Sequence, residues 1–161
     1  MLIILFGLAG SGKNFVGEIL AKQFNYYFWD ADRSLPEEVQ QSIREKKSFT
    51  QSMRNQITDM VIQETTKLLL THQKLVVAQA LYKEANREML RQTFPDALFI
   101  HVQADQQIIL QRLKQRGGIV DKEYAKAIAA NFEEPHLRHE KIINNKDEKA
   151  ILAQFIAIFA R

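Results

Sequence analysis

A glycine-rich segment between an apolar run and an amphipathic stretch places the strongest constraint on how this chain can fold. Residues 7–14 read Gly-Leu-Ala-Gly-Ser-Gly-Lys-Asn and directly follow the five apolar residues Leu2–Phe6. After Lys13, apolar residues recur at helical spacing as Phe15, Val16, Ile19, Leu20 and Phe24. The pattern predicts a strand buried on both faces, then a glycine loop, then a helix.

The glycine loop matches the Walker A pattern G-x-x-x-x-G-K and departs from it at Asn14, where the pattern has Ser or Thr. Glycines let successive backbone N–H groups converge on phosphate oxygens, and the helix N-terminus adds positive potential. We therefore predict a nucleotide-phosphate site in which the Lys13 ammonium reaches the β and γ phosphates. Its members are Gly7, Leu8, Ala9, Gly10, Ser11, Gly12, Lys13 and Asn14. The alternative is a glycine turn that only joins strand to helix.

Strands and helices are predicted to alternate along the rest of the chain. The further strand candidates are residues 26–29, 75–80, 97–103 and 141–144. The helix candidates are residues 36–46, a longer helix ending near 71, the segment between the third and fourth strands, 105–117, 121–132 and 151–159. This order predicts an α/β fold whose sheet of five strands is mostly parallel and is flanked by helices.

Composition fits one domain over residues 1–161 and excludes several classes of site and partner. The chain is 46% hydrophobic and 25% charged, and it contains no Cys, which rules out disulfides, thiolate zinc sites and cysteine nucleophiles. Its 22 Lys and Arg against 19 Asp and Glu are scattered, so we expect no nucleic-acid partner. An apolar run of about 20 residues is absent from the sequence, so we expect no membrane span. The lack of Cys suits a reducing compartment, so we expect a cytoplasmic protein, and we expect it to be a monomer or a homodimer.

Three further segments resemble those of the small P-loop metabolite kinases, specifically the gluconate kinase and shikimate kinase group. Phe28-Trp-Asp-Ala-Asp32, followed by Pro36, is similar to the end of that group's second strand. The stretch Leu75–Lys83, with Arg87 downstream, is similar to its third strand and the following helix, and Asn131–Pro135 is similar to the segment after its lid. The resemblance covers nearly the whole length of the chain.

The resemblance implies a P-loop kinase fold with acceptor-binding helices at about residues 34–72 and a short lid at about 114–122. It also implies a kinase that uses ATP and Mg²⁺ to phosphorylate a hydroxyl of a small anionic metabolite, either a gluconate-like sugar acid or a shikimate-like acid. Four departures weigh against gluconate itself. Asn14 replaces the Ser or Thr, Leu35 replaces a His before the proline, Arg33 replaces an acidic residue, and Gly118-Ile119 replaces the Gly-His-Phe of the lid.

Asp30 and Asp32 lie two residues apart at the predicted end of the second strand. By resemblance, Asp32 contacts the acceptor hydroxyl and acts as its base, while Asp30, Asp32 and Asn14 form the protein part of the magnesium shell. The alternative is that both aspartates are turn and cap residues before a helix.

Basic residues supply the candidate contacts to the acceptor and to the transferred phosphate. The resemblance implies that Arg54, on the acceptor-binding helices, binds a carboxylate of the acceptor through two hydrogen bonds, and we expect Lys83 and Arg87, after the third strand, to supplement that contact. Solvated helix faces are the alternative for all three. Arg116, before the lid, is predicted to stabilise charge on the transferred phosphoryl group, unless it is only a favourable cation at a helix C-terminus.

Arg112 and Asn144 are the remaining predicted nucleotide contacts. Arg112 precedes the lid, and Asn144 ends the last strand, near where this group of kinases places the adenine. An Asx turn is the alternative for Asn144. The four histidines, at positions 72, 101, 136 and 139, show no metal-ligand spacing, and we interpret them as structural or surface residues.

Two other functions fit the same motifs. A nucleotide or nucleoside kinase would share the phosphate-loop half and differ in the acceptor helices. A nucleotide-binding module that has lost catalysis would explain Asn14 and the altered acceptor motif.

Overall fold

The computed structural model describes residues 1–116 and 122–161, and its strands and helices alternate as the sequence predicts. The elements in chain order are β1 (Leu2–Phe6), α1 (Lys13–Phe24), β2 (Tyr27–Asp30), a 3-10 turn (Ala31–Ser34), α2 (Glu37–Arg44), α3 (Gln51–Leu69), β3 (Leu75–Ala78), α4 (Glu84–Thr93), β4 (Leu98–Gln103), α5 (Gln106–Arg116), α6 (Lys122–Ala129), β5 (Glu140–Ile143) and α7 (Glu148–Phe159).

The five strands form one sheet in the order β2-β3-β1-β4-β5, and every pairing between them is parallel. β1 lies at the centre, with Ile4 opposite Val77 of β3 on one side and Phe99 of β4 on the other. The predicted α/β fold is therefore confirmed. The central position explains why β1 is a continuous apolar run instead of an alternating one, since both of its faces are covered.

Alternate residues of β1 pack into separate hydrophobic cores on the two faces of the sheet. Leu2, Ile4 and Phe6 point to one face, where they meet helices α2, α3 and α4 through Val39, Ile57, Val61 and Leu90. Ile3 and Leu5 point to the other face, where they meet α1 and α7 through Val16, Ile19, Leu20, Ile151 and Phe155.

Several element ends differ from the sequence prediction by a few residues. Pro36 is the N-cap of α2 and lies outside the helix, because its ψ of 149° is extended. The helix α6 ends at Ala129, before Phe132, and β5 ends at Ile143, so Asn144 follows the strand. These shifts leave the order and type of the elements unchanged.

The sheet sets the position of the functional region, because the carboxyl ends of parallel strands meet at one edge. β1 leads there into the glycine loop, β2 ends at Asp30, and β3 is followed by Gln79. The predicted acceptor-binding region contains α2 and α3. In the predicted lid, residues 117–121 lie outside the described residues, and with them the first residue of the helix predicted over 121–132. Within the described part of the chain, no helix is long and apolar enough to cross a bilayer.

Candidate active site

A cleft with a volume of about 780 Å³ opens at the carboxyl ends of β1, β2 and β3. The residues predicted from the sequence that line it are Ala9, Gly10, Gly12, Lys13, Asn14, Asp30, Asp32, Arg54 and Arg116. The helices α2 and α3 contribute Ile43, Arg54 and Ile57 to its wall. The cleft thus brings the glycine loop together with the two aspartates and one predicted acceptor ligand.

The glycine loop has the backbone shape that phosphate binding requires. Gly10 and Gly12 adopt positive φ angles of 83° and 89°, which residues with side chains rarely adopt. Gly12 is also the N-cap of α1 and has no side chain to cap the first amides of that helix. Those N–H groups and the helix dipole are therefore suited to binding an anion.

Lys13 lies between the loop and Asp32. Its ammonium donates to the carbonyl oxygens of Gly7 at 3.2 Å and Leu8 at 3.3 Å, and it lies 3.6 Å from Asp32 Oδ2. The lysine is only 6% exposed. Its charge is therefore directed to the inside of the cleft.

The Asp32 carboxylate is oriented by the segment that follows β3. Its Oδ1 accepts hydrogen bonds from Gln79 Nε2 and from the backbone N–H of Ala80, both at 3.2 Å. Burial raises the pKa of the Asp32 carboxyl, and the nearby Lys13 ammonium only partly opposes that increase. Asp32 is therefore held in place and is more basic than an exposed aspartate.

Both carboxylate oxygens of Asp30 are bound by neighbouring residues of the chain. Its Oδ1 accepts from the backbone N–H of Asp32 at 3.1 Å, and its Oδ2 accepts from Asn14 Nδ2 at 2.5 Å. Arg33 Nε lies 3.0 Å from the same Oδ2. Asn14 and Asp30 thus connect the start of α1 to the end of β2.

The residues at this end of the cleft fit both ATP and magnesium. The uncapped start of α1 and the Lys13 ammonium suit a triphosphate. Magnesium takes oxygen ligands, and the local oxygens are the carboxylates of Asp30 and Asp32 and the side-chain carbonyl of Asn14. Both carboxylates already have partners, Asn14 and Arg33 at Asp30 and Gln79, the Ala80 N–H and Lys13 at Asp32, so these contacts favour neither as the ligand.

Arg54 points inward from α3 and does not lie on a solvated helix face. It is 9% exposed, and its guanidinium carbon lies 5.5 Å from the ring centroid of Phe49 and 5.8 Å from that of Tyr82. A guanidinium held between aromatic rings is less hydrated than an exposed one. Arg54 therefore presents a buried positive charge to the cleft.

Arg112 and Asn144 contact the carbonyl side of the glycine loop. Arg112 donates to the carbonyl oxygens of Gly10, Ser11 and Asn144 at 2.8 to 3.3 Å, and Asn144 Nδ2 donates to Ser11 O at 2.9 Å. Both side chains thereby support the shape of the loop, and their contact with the nucleotide stays a prediction. Arg116, at the end of α5, is exposed and lines the cleft.

The structure contradicts the prediction that Arg87 contacts the acceptor. Arg87 is fully buried, and it donates to the carbonyl oxygens of Leu81, Tyr82 and Glu133 at 2.7 to 3.2 Å and pairs with Glu84 at 2.8 Å. These acceptors hold its guanidinium in the core, out of reach of a ligand.

Lys83 is not among the described residues that line the cleft, although it follows Tyr82, which is. Its ammonium pairs with a Glu133 carboxylate oxygen at 3.2 Å. The structure therefore does not bring Lys83 together with Arg54 and Asp32.

Sequence reasoning missed several polar residues of the cleft. Gln79 and Tyr82 follow β3, so the rule that ligands bind beyond the carboxyl ends of parallel strands was a signal for both. Tyr82 accepts a hydrogen bond at its hydroxyl from the backbone N–H of Ala9, at 3.1 Å. Thr58 and Asn86 carry no comparable signal, because their 2.9 Å hydrogen bond depends on how α3 packs against α4.

His101 belongs to the core near the cleft. It is 5% exposed and stacks on Phe6 and Phe132, with ring centroids 4.9 and 5.3 Å apart. Burial, with positive neighbours, lowers the pKa of His101 to about 4, so its ring is neutral at physiological pH. It therefore acts as a packing residue.

Comparison with known proteins gives a consistent family assignment. The model of the shikimate kinase family matches residues 9–158. A probable gluconokinase from Xenopus tropicalis is 29% identical over 137 residues, covering 73% of this chain and 70% of the relative. The thermoresistant gluconokinase from Escherichia coli K12 is 30% identical over 123 residues, covering 71% of this chain and 66% of the relative.

Solved structures show the same fold. A gluconokinase from Sinorhizobium meliloti superposes with a TM-score of 0.82 at 23% identity, covering 99% of this chain and 91% of that one. A shikimate kinase from Acinetobacter baumannii in complex with shikimate gives a TM-score of 0.65 at 21% identity. The match covers 99% of this chain and 92% of that one. Because the family model spans nearly the whole chain and the glycine loop lies in a matching fold, the chain belongs to the shikimate kinase family and is a P-loop kinase of small metabolites.

Proposed function

We propose that this protein transfers the γ-phosphate of ATP to a hydroxyl of a small hydroxy acid of the gluconate-like or shikimate-like class. The observation that supports an acid is Arg54, a buried guanidinium in the same cleft as Lys13 and Asp32. Its planar set of donors matches a carboxylate through two parallel hydrogen bonds.

In this proposal each residue of the cleft has a separate role in phosphoryl transfer. The loop amides and Lys13 bind the triphosphate, and Asp32 accepts the proton of the acceptor hydroxyl. The hydroxyl oxygen forms a bond to the γ phosphorus while the bond to the β-phosphate oxygen breaks. Magnesium, when bound with ATP, offsets phosphate charge, and Asp32, Asp30 and Asn14 are the residues that would hold it.

The raised pKa of Asp32 supports its proposed role as the proton acceptor. A general base works best when its pKa approaches the working pH, and burial shifts the Asp32 carboxyl in that direction. Gln79 and the Ala80 N–H hold one carboxylate oxygen. Arg116 lines the cleft at the end of α5, where a cation would stabilise charge that develops during transfer.

Coupled measurement of ADP release tests the proposal. Gluconate, shikimate, nucleosides and nucleoside monophosphates are each added to the protein with ATP and magnesium. We expect an acid to raise ADP release above the rate with water alone. Release that rises only with nucleosides or their monophosphates would assign a nucleotide-type kinase, and release that responds to no acceptor would favour a nucleotide-binding module.

A variant pair tests the role of Arg54. Arg54→Gln should raise the KM for the acid about tenfold or more, because a hydrogen-bonded charge pair is lost, and should leave the KM for ATP unchanged. Arg44→Gln is the matched control, since Arg44 is an exposed arginine on α2. Equal acid KM values for the Arg54→Gln variant and the parent would contradict carboxylate binding at this residue.

A further inference from the structure

The part of the cleft wall formed by α2, α3 and the adjoining turns carries five large apolar side chains. It contains Leu35 after the 3-10 turn, Ile43 of α2, Phe49 before α3, Ile57 of α3 and Leu81 after β3. All five belong to, or pack against, the hydrophobic core on that face of the sheet. We refer to these five residues as the apolar wall.

Two polar side chains beside the apolar wall, Thr58 and Gln79, already have hydrogen-bond partners within the protein. Thr58 Oγ1 donates to Arg54 O at 2.9 Å and accepts from Asn86 Nδ2 at 2.9 Å. Gln79 Nε2 donates to Asp32 at 3.2 Å, while Gln79 Oε1 accepts from the N–H of Leu81 at 3.0 Å. These bonds use much of the capacity of Thr58 and Gln79 to bind a ligand.

An acceptor with a hydroxyl on every carbon would lose hydrogen bonds to water when it enters this wall, and would regain few of them. Polar groups that are buried without partners cost binding energy, whereas hydrocarbon surface gains from leaving water. Among the charged residues that line the cleft, Arg54 of α3 suits a carboxylate, and Asp32, beside Lys13, suits the hydroxyl that reacts. The chemistry of the cleft therefore matches a molecule that is polar at its ends and apolar between them.

We propose that the preferred acceptor is a hydroxy acid with a branched or alicyclic hydrocarbon body between its carboxylate and the hydroxyl that reacts. The inference rests on the proposed function, because it takes Arg54 as the carboxylate ligand and Asp32 as the base. The phosphoryl group passes from ATP to the hydroxyl oxygen, ADP leaves, and the hydroxyl proton moves to the Asp32 carboxylate. Polyhydroxylated acids are then poorer substrates of the same site.

A panel of four acids tests this proposal in the coupled ADP assay. Pantoate and 4-hydroxycyclohexanecarboxylate have apolar bodies, whereas gluconate and shikimate carry several hydroxyls. We expect kcat/KM for at least one of the first pair to exceed that for both of the second by about tenfold or more. A higher or equal kcat/KM for gluconate or shikimate would overturn the inference and leave the proposed function intact. ADP release with none of the four acids would instead overturn the proposed function.

A substitution in the apolar wall tests whether the wall, and not another part of the protein, determines which acid is preferred. Ile43→Thr places a hydroxyl in the wall and shortens the side chain by one heavy atom, as does the control substitution described below. We compare kcat/KM for the apolar acid with kcat/KM for gluconate. The variant should lower the ratio of the first to the second by roughly fivefold, because gluconate gains one hydrogen-bond partner. An unchanged ratio would overturn the inference.

Two further variants complete this test. Ile156→Thr is the matched control, because Ile156 is exposed on α7, outside the residues that line the cleft, and should leave the ratio unchanged. Thermal melting checks that the Ile43→Thr protein is folded. If that protein is not folded, Leu35→Gln adds a polar group to the same wall instead. It should also lower the ratio of kcat/KM for the apolar acid to kcat/KM for gluconate. An unchanged ratio in the Leu35→Gln protein would equally overturn the inference.

Discussion

Opposing influences act on the charge of Asp32. Burial and the neighbouring Asp30 raise the pKa of its carboxyl, while Lys13, at 3.6 Å from Oδ2, and the Ala80 N–H lower it. Burial is the largest of these influences, so the pKa lies above its ordinary value. The residue therefore combines a fixed orientation with increased basicity, and both properties have measurable consequences.

The pH dependence of activity and stability should report the raised pKa of Asp32. We expect kcat/KM to fall on the acidic side with an apparent pKa above about 3.9, the ordinary value for aspartate. Because folding raises this pKa, the folded protein binds the proton more tightly than the unfolded chain. Stability from that proton is present below the unfolded pKa and is lost as the pH rises through the folded pKa.

The Asp32→Asn variant tests both effects. It should lower phosphoryl transfer about 100-fold or more, because an amide accepts no proton. It should also melt at a higher temperature than the parent near neutral pH, and that difference should shrink as the pH falls through the raised pKa of folded Asp32 and be gone below about pH 4. Asp59→Asn, at an exposed position on α3, is the control and should change neither quantity. Full activity in the Asp32→Asn protein would contradict the role of the base.

Asn14 offers a second test at the scale of one side chain. Its amide nitrogen donates to Asp30 Oδ2, so Asn14→Thr should release that oxygen and place a small hydroxyl where the Walker A pattern has one. We expect the half-saturating magnesium concentration to fall by about tenfold, since ligand support commonly changes metal affinity by that factor. Magnesium titration at fixed ATP measures it, with Asn14→Ala as the control that removes the amide without adding a hydroxyl. An unchanged or higher value would show that the native asparagine suits this metal site.

At the scale of elements, the turn after β3 connects the acceptor side of the cleft to the glycine loop. The Tyr82 hydroxyl accepts from the Ala9 N–H at 3.1 Å, and the Tyr82 ring lies 5.8 Å from the Arg54 guanidinium carbon. Leu81, the preceding residue, has a positive φ of 48°. Tyr82 therefore contacts both the loop and the predicted acceptor ligand.

Removing the Tyr82 hydroxyl should loosen the glycine loop and preserve the aromatic wall. Tyr82→Phe keeps the ring beside Arg54 but leaves the Ala9 N–H without this acceptor. We expect the KM for ATP to rise roughly fivefold, consistent with the loss of one hydrogen bond, with a smaller change in the KM for the acid. Steady-state kinetics with each substrate varied in turn measures the KM for ATP and the KM for the acid separately. Tyr27→Phe, at an exposed position on β2, is the control. A change confined to the acid KM would contradict this coupling.

The sequence was informative where local chemistry decides the structure. Leu2–Phe6, the glycines and Lys13 together predicted β1, the loop and α1, because hydrophobic run length and backbone freedom act over a few residues. The same local reasoning placed Asp30 and Asp32 at a strand end. It could not show that Arg54 points inward or that Arg87 is a core residue, since both depend on how distant segments pack.

At the scale of the whole molecule, Arg87 joins parts of the chain that are far apart in sequence. Its guanidinium lies over the rings of Phe6 and Phe132, at 5.1 and 4.7 Å from their centroids. It also bonds to Glu133 O at 2.7 Å and to Leu81 O at 2.9 Å, so the turn after β3 is fixed to the segment after α6. Arg87 therefore fixes the turn after β3, which lines the cleft, in its position on the sheet.

Replacing Arg87 should destabilise the protein more than replacing an exposed arginine. Arg87→Met fills much of the same volume but leaves the carbonyl oxygens of Leu81, Tyr82 and Glu133 without their donor. We expect the free energy of unfolding to fall by about 3–5 kcal/mol, as for other broken buried ion pairs, whereas Arg44→Met should change it by about 0.5 kcal/mol or less. Arg87→Lys keeps the charge but cannot form the planar set of hydrogen bonds, so it should also be destabilised. Urea denaturation measures all three variants. If the Arg87→Met protein were as stable as the parent, Arg87 would not be what holds the cleft wall to the sheet.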